Sequence, residues 1–596
     1  QSDPQVAGVR LQTDRQRWRG RNHDTSQPMA QFDALPDAAD SSPDGPAGDD
    51  ITLDTGLDPV CAMAVHLRIA PHGKAQLIFA TAASDDESVL RAMIDKYRQS
   101  SHIQRASLMS ATLTGIRLRA LRIGAEDFAA SQLLTTALAL TLARPQGQVQ
   151  AGEASSLAHC DRRLLWRLGL SGDRPILLVT AGAPQGLGLL RSLAKAMRVW
   201  AWGGIACDLV VVNAEPASYE MALHREISAL RDRHVADTGA ASGNTGTGFF
   251  VLRSDALTAD QWSTLRCLAR VRLHADGRPL IHHVQEWSGW HEKAFELRHD
   301  TSTTVVATIA RREVAAPASR GEFDAATGNF TFETGAGVRP ARPWINVLAN
   351  PEFGAQLSEA GAGYSWALNS RLNQLTGWSN DPVGDPPSEW FLLQDLDTLA
   401  VWSAAPSAWG DAQANYQVVH GQGRSVISHR RGPLEVSAAW TVDPQSSVKQ
   451  VRLRFVNRGT GAVNLRVTGL LEWVMGAGRE DRASVQTALH RQRLPSSADS
   501  GESREPGRKR MLTALLCSQR ERAAGFGEGT AFLAIAGAPG DGEDWTCDRR
   551  ECFDARGRLV LPDHFGRRDG PGLDPCAALS VRVTLAPGGT AERVFL

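Results

Sequence analysis

Hydrophobic positions change their period several times along the chain, and each change marks an element boundary. Between Gly56 and Phe79 (GLDPVCAMAVHLRIAPHGKAQLIF) Val65, Leu67 and Ile69 recur every second residue, which predicts a strand, an A-P-x-G turn and a second strand. From Asp85 the spacing lengthens. Leu90, Met93, Ile94 and Tyr97, then Leu108, Leu113, Ile116, Leu118 and Leu121, then Leu133, Leu134, Leu138 and Leu140 predict amphipathic to buried helices to about Ala143. A last short helix is expected over Cys160 to Leu168. Beyond Ser171-Gly172-Asp173, strands over Ile176–Thr180, Asp208–Asn213, Phe249–Arg253 and Val271–His274 alternate with helices over Leu189–Trp200, Tyr219–Asp232 and Ala259–Arg270. That alternation predicts a small α/β unit with a parallel sheet. Gly321 to Phe332 reads as a hairpin. From about residue 330 the pattern is β throughout: Val451, Leu453 and Phe455 alternate with Arg452 and Arg454, and Val463, Leu465 and Val467 with Asn464, Arg466 and Thr468. Many such strands over some 260 residues imply a large antiparallel sandwich.

The fold class expected is therefore α+β multidomain: residues 1–81 a disordered segment plus tail strands of a first β-sandwich, 82–170 helical, 171–300 the small α/β unit, 301–329 a linker, and 330–596 the large sandwich. Pro36 to Asp50 (PDAADSSPDGPAGDD) is too polar to order itself and reads as a flexible insertion; Ser496 to Arg508 reads as a polar loop. The closing stretch Gly572 to Phe595 (GLDPCAALSVRVTLAPGGTAERVF) matches Gly56–Phe79 without a gap, eleven identities in twenty-four positions, which reads as an internal repeat. Asp14-Arg15, Trp18 and Gly20-Arg21 are echoed by Asp548-Arg549, Phe553 and Gly557-Arg558. On this reading the chain opens in the tail of one β-domain and ends at the tail of a second. Gln1 is not a natural start and no charged-then-apolar leader follows, so the chain is expected to be a piece of something longer.

Composition changes this picture mainly by exclusion. The 596 residues carry 64 Lys+Arg against 65 Asp+Glu, a net charge of −1, so no bulk attraction to nucleic acid or anionic membrane follows. No window of about 20 apolar residues is present, and no membrane segment is expected. Eight scattered cysteines without a C-x-x-C pair favour a reducing compartment, and Cys547 and Cys552 lack a neighbouring His for zinc. No metal and no cofactor is expected.

Three features carry candidate chemistry. The corner Ala181-Gly182-Ala183-Pro184-Gln185-Gly186-Leu187-Gly188 imitates a phosphate loop, but it has neither G-x-G-x-x-G nor G-K-[ST], so a nucleotide-binding α/β module is only an alternative to an ordinary tight corner. His282, His283, Glu286, Trp287 and Trp290 lie on the linker, where His283 and its neighbour are more simply satisfied surface or interface residues than ligands or bases. The richest stretch is Asn346 to Trp402. Tyr364, Trp366, Asn369, Ser370, Arg371, Asn373, Trp378, Ser379, Asn380 and Asp381 put flat aromatic faces beside short polar side chains, a vocabulary suited to sugars. A pyranose can lay its C–H face on an indole while amides, a carboxylate and a guanidinium meet its hydroxyls. The alternative is that the same groups plug the sheet or lock it to a neighbouring domain.

NPEFGAQLSEAGAGYSWALNSRLNQLTGWSNDPVGDP, YQVVHGQGRSVISH (Tyr416–His429), LLEWVMG (Leu470–Gly476) and GLDPCAALSV closely resemble the β-sandwich of cyclic β-1,2-glucan synthases, in the part related to the inverting phosphorylases of glycoside hydrolase family 94. Asp95-Lys96-Tyr97-Arg98, LWRLGLSGDRPILLV (Leu165–Val179) and CDLVVVN (Cys207–Asn213) look like the segment linking two such sandwiches. The resemblance implies a carbohydrate-binding supersandwich, a glucan or glucose oligosaccharide as partner, and a position on the cytoplasmic side in an inner-membrane protein. It also implies a following helical barrel that holds the general-acid Asp and the phosphate site. Where the family reads S-R-E-N-x-L-T-P-W-S-N-D-P, this chain has Leu372 for the Glu and Gly377 for the Pro. Inverting phosphorolysis needs an acid and a phosphate pocket together, so no catalytic residue is expected in this chain. Asp381, Asp385 and Glu389 read as turn or strand-end acids. The expected substrate contacts are Trp366 and Trp378 stacking on glucose, Asn369, Asn373, Asn380 and Asp381 bonding hydroxyls, and Arg371 forking to a carboxylate of the loop or to substrate.

Overall fold

The computed structural model describes residues 5–23, 55–56, 58–140, 160–217, 219–239, 247–299, 303–307, 319–335, 338–493, 511–522, 527, 529–536, 543–554 and 557–596. The expected insertion at 36–50 and polar loop at 496–508 lie outside these residues.

The alternating segments beyond residue 330 assemble two antiparallel sheets, nine-stranded and eleven-stranded among the described residues. At the centre of the first is the long strand Val463–Gly476, which pairs with Gln374–Thr376 and Glu389–Asp395 on one side and Pro575–Leu585 on the other. The second is a meander through Asn415–Gly421, Arg424–Arg431, Leu434–Val442 and Lys449–Asn457, continued by Thr590–Phe595. Val451, Leu453 and Phe455 are buried while Arg452 and Arg454 are exposed, as a period of two on a one-sided sheet requires. With Leu465, Val467, Trp402, Trp473 and Phe595 they form the core between the sheets.

Alternation misleads on the central strand. Arg466 and Thr468, expected to face solvent, are buried because a third layer around Cys552, Leu559, Leu561 and Phe565 covers the back of that sheet. Arg466 is satisfied there by Ser580 at 3.1 Å, by Asp544 at 3.1 Å and by the Pro562 carbonyl.

The α/β unit is a four-stranded parallel sheet in the order Gly248–Arg253, Asp208–Asn213, Ile176–Ala181, Ala269–His274. Helix Leu187–Trp202 covers one face, and Leu134 and Leu138 of helix Ala125–Leu140 join its core. The stretch carrying His282 and His283 is a helix, Leu280–His299, rather than an irregular linker, and Leu280 and Val284 pack into the same core.

Other expectations differ more. Helices Glu87–Tyr97 and Ser100–Ala120 form as predicted, but Ile94, Leu108, Leu113 and Ile116 are exposed, since nothing among the described residues packs on those stripes. The helix predicted over Cys160–Leu168 shrinks to Arg163–Trp166, because Cys160 is drawn into a bridge with Glu521. Strand Gln5–Asp14, in the stretch expected to be a disordered segment ahead of the tail strands, pairs with Pro59–Arg68.

The two GLDP-bearing segments fold alike only in their first halves. Pro59–Arg68 and Pro575–Leu585 are both strands, each followed by a turn closed by a Gly N–H to an Ala carbonyl, Gly73 to Ala70 and Gly589 to Ala586, both at 2.8 Å. Each strand is preceded by a matching tie, the Arg15 N–H to the Asp58 carbonyl at 2.9 Å and the Arg549 N–H to the Asp574 carbonyl at 2.8 Å. After the turn they diverge. Thr590–Phe595 is a strand between two neighbours, whereas Lys74–Phe79 finds no partner strand among the described residues and stays irregular and mostly exposed. A strand's amides need a neighbour, and only the second segment has one.

Candidate functional site

Strands Phe353–Ser358 and Gly363–Ala367 pair so that Gly354 lies opposite Trp366. The indole rests on the glycine: a Cβ at residue 354 would come within 2.2 Å of the ring. Two residues earlier on the same face, Tyr364 lies beside Trp366 with ring centroids 5.1 Å apart, and Trp378 stacks on Tyr364 at 5.2 Å and 8°. Tyr364 is buried, Trp366 partly exposed, and Trp378 43% exposed. Trp378 thus uses one face on Tyr364 and keeps the other open.

The turn between them is built by its own polar groups. Asn369 accepts from the N–H groups of Arg371 at 3.0 Å and Leu372 at 2.9 Å, an Asx turn, and its carbonyl accepts from Asn373 N–H at 3.0 Å. Asn373 is buried, while Arg371 and Asn380 are exposed. Asn380 holds a left-handed backbone, φ 49°, which Asn adopts more readily than most side chains. Among the described residues no carboxylate pairs with Arg371, so the fork expected within the loop does not form.

Asp381 is already engaged. Its carboxylate accepts from the Val383 and Gly384 amides at 3.0 and 2.9 Å, is forked by Arg15 at 2.9 and 2.7 Å, and meets Arg19 at 3.2 Å. Burial works to raise this carboxyl, but Arg15 and the two amides outweigh it and hold it down at about 2. Beside it, buried Arg21 pairs with Glu359 at 2.5 Å and Asp385 at 3.0 Å, and Asn22 accepts from Arg339 at 2.6 Å. Arg15, Arg19 and Arg21 therefore fasten residues 5–23 onto the loop. Their R-x-x-x-R-x-R spacing stands in the sequence, but nothing there says which carboxylates it meets.

Glu389 is also taken. It is buried, in contact with Lys449, and accepts from Ser365 at 2.8 Å and Thr376 at 2.7 Å. Burial pushes its carboxyl up, and Lys449 with the two hydroxyls brings it below its ordinary value. All three loop acids thus have structural partners.

The other candidates are closed. In the Gly-rich corner the Gly186 N–H bonds to the Ala183 carbonyl at 3.1 Å, and a Cβ at residue 186 would sit 2.4 Å from the Ala275 carbonyl oxygen. Close backbone packing, rather than an anion cradle, explains that glycine. His283 is buried 3.3 Å from Asp276, and burial lowers its pKa, leaving it a neutral packed ring. No group of three His, Cys, Asp or Glu side chains among the described residues is placed to hold a metal, and no helix there is long and apolar enough to cross a membrane.

Two antiparallel sheets packed as a sandwich are the architecture, and the sequence gives its class: residues 2–100 and 329–596 fit the glycosyl hydrolase 94 supersandwich domain, and the chain belongs to that family. The particular relative is the cyclic beta-(1,2)-glucan synthase NdvB of Rhizobium meliloti (strain 1021), 27% identical over 617 residues, an alignment covering 98% of this chain and 20% of that protein. The chain thus spans about a fifth of the length of the curated relative it matches. Among solved structures, a putative aldose 1-epimerase from Escherichia coli K12 aligns at 11% identity and TM-score 0.23, over 42% of this chain and 97% of that one. A galactose mutarotase related enzyme from Lactobacillus acidophilus aligns at 9% and 0.24, over 42% and 96%. At those scores neither likeness carries weight here.

Proposed function

We propose that this chain is the glucan-binding and scaffolding part of a cyclic β-1,2-glucan synthase-like protein, in which a helical barrel elsewhere in the parent performs glycosyl transfer or phosphorolysis. Trp378 and Trp366 stack on glucose. Exposed Arg371 and Asn380 meet hydroxyls, with Asn373 at the inner end of the turn, while Asn369 and Asp381 hold the loop in the shape that presents them. Residues 56–79 serve as the tail of another supersandwich, and the parent is an inner-membrane protein that holds this part on its cytoplasmic side.

The observation supporting this reading is the open outer face of Trp378, backed by Tyr364 and flanked by loop amides. A stiff aromatic ledge with hydroxyl partners beside it is what sugar recognition requires. Titration calorimetry with linear β-1,2-linked glucose oligosaccharides tests it. Trp378→Ala should weaken binding about tenfold or more, equivalent to about 1.4 kcal/mol, with only a modest fall in melting temperature, since the ring is 43% exposed and its main packing partner is Tyr364. Unchanged affinity with a lowered melting temperature in Trp366→Ala and Trp378→Ala would show instead that these rings only pack the sandwich against a neighbour.

A further inference from the structure

Between the two sheets, beside the same loop, lies a cavity of about 400 Å³. Its walls are apolar: Phe353, Leu375, Phe391, Trp473, Leu533 and Phe595. That volume is well over the roughly 150 Å³ that accepts a benzene ring in an engineered protein core. Native cores close such spaces unless something fills them.

The basic side chain of the wall is already engaged. Lys449 is paired with Glu389 and donates to Ser365 at 2.6 Å, and Glu389 also accepts from Ser365 and Thr376. Inside the rim a charged occupant would find no unpaired counter-charge among the described residues, and the carboxylate of Glu352 stands at the solvent edge, so the interior suits a neutral group. The rim differs in character: Glu352, Asn373, Ser447 and Thr530 bring polar side chains to it, and Leu368 and Asn373 belong to the turn of the sugar loop.

We infer that this cavity is a binding site for the apolar aglycone of a neutral glycoside, with the attached sugar lying across the rim against the loop at Leu368–Asn373. The inference rests on the sugar reading of that loop and adds the substrate class: a sugar joined through an acetal oxygen to an alkyl or aryl group of about six carbons or more. Binding is non-covalent, and no bond is made or broken.

The probes are hexyl β-D-glucoside, kept below its micellar concentration, hexan-1-ol and glucose, each titrated calorimetrically into the full chain. Hexyl glucoside should bind saturably with one site, and glucose and hexan-1-ol each at least about tenfold more weakly. Leu533→Trp, which fills the cavity, and Thr530→Trp, which obstructs the rim from an exposed position, should each weaken hexyl glucoside about tenfold or more. The rim variant keeps the test valid if the core variant does not fold. Absence of saturable hexyl glucoside binding at millimolar concentration, or binding unaffected by Thr530→Trp, overturns the proposal. Hexan-1-ol binding as tightly as hexyl glucoside also overturns it, and in that case the fault lies with the sugar reading of the loop, because the cavity itself would still be occupied.

Discussion

Asp381→Asn isolates the charge that fastens residues 5–23 to the loop. The amide is nearly isosteric and its oxygen can still accept from the Val383 and Gly384 amides, so what is lost is the ionic part of the Arg15 and Arg19 contacts. The Asp381 side chain is 16% exposed, so solvent screens the pair only partly. A carboxyl lowered from 3.8 to about 2 corresponds to about 2 kcal/mol, at roughly 1.4 kcal/mol per unit. The folded pKa lies below the unfolded one, so this contribution is fully present above pH 3.8 and is lost as pH falls through about 2. The readout is local: hydrogen exchange at the Asn22 amide, which donates to the Val383 carbonyl at 2.9 Å. The substitution should lower its protection at neutral pH by up to roughly thirtyfold, the equivalent of about 2 kcal/mol, which is the ceiling because the Val383 and Gly384 bonds that share in the shift are kept. The gap between the two proteins should narrow as pH drops from about 4 toward 2. Equal protection at pH 7, or a gap that persists undiminished in acid, would refute the assignment of the clamp to this ion pair.

Lys449→Met strands Glu389 in the core and should destabilise the sandwich by about 3–5 kcal/mol, with Lys449→Met/Glu389→Leu recovering much of the loss in denaturant titrations. Gly354→Ala forces a Cβ into the Trp366 ring and should cost about 1–3 kcal/mol, while Gly354→Ala/Trp366→Ala melts closer to Trp366→Ala alone. His429, buried beneath Tyr416 and accepting from the Trp402 indole at 3.1 Å, has its pKa pushed down to about 4 by burial. The unfolded chain therefore binds the extra proton first, and the melting temperature should fall as pH decreases from about 6.5 to about 4, with a shallower slope in His429→Phe.

The aromatic members of the candidate loop were legible because their kind and spacing are local. Tyr364 and Trp366 two apart on a strand must share a face, whereas Asn369, read as a partner for sugar hydroxyls, turned out to spend its side chain on the Arg371 and Leu372 amides. Which of the polar groups stay free was not legible. Asp381 and Asn380 are adjacent in the chain, yet one is held by Arg15 and Arg19 from more than 360 residues away and the other is exposed. The same holds for Glu389, whose partner Lys449 is 60 residues distant.

The sequence by itself determined the local elements: the period of two that makes Val451, Leu453 and Phe455 one buried face, the βα alternation that requires a parallel sheet, and the turn glycines at 73 and 589. Those depend on neighbours within a few residues, where chain geometry alone sets which side chains share a surface. Tertiary structure decided what meets that surface. Among the described residues it buried Arg466 under a third layer, left Leu108 and Ile116 uncovered, gave Thr590–Phe595 neighbours that Lys74–Phe79 does not have there, and left a cavity between sheets whose facing residues are individually ordinary core. Burial, pairing and empty space are properties of two surfaces brought together, and no single stretch of chain contains both.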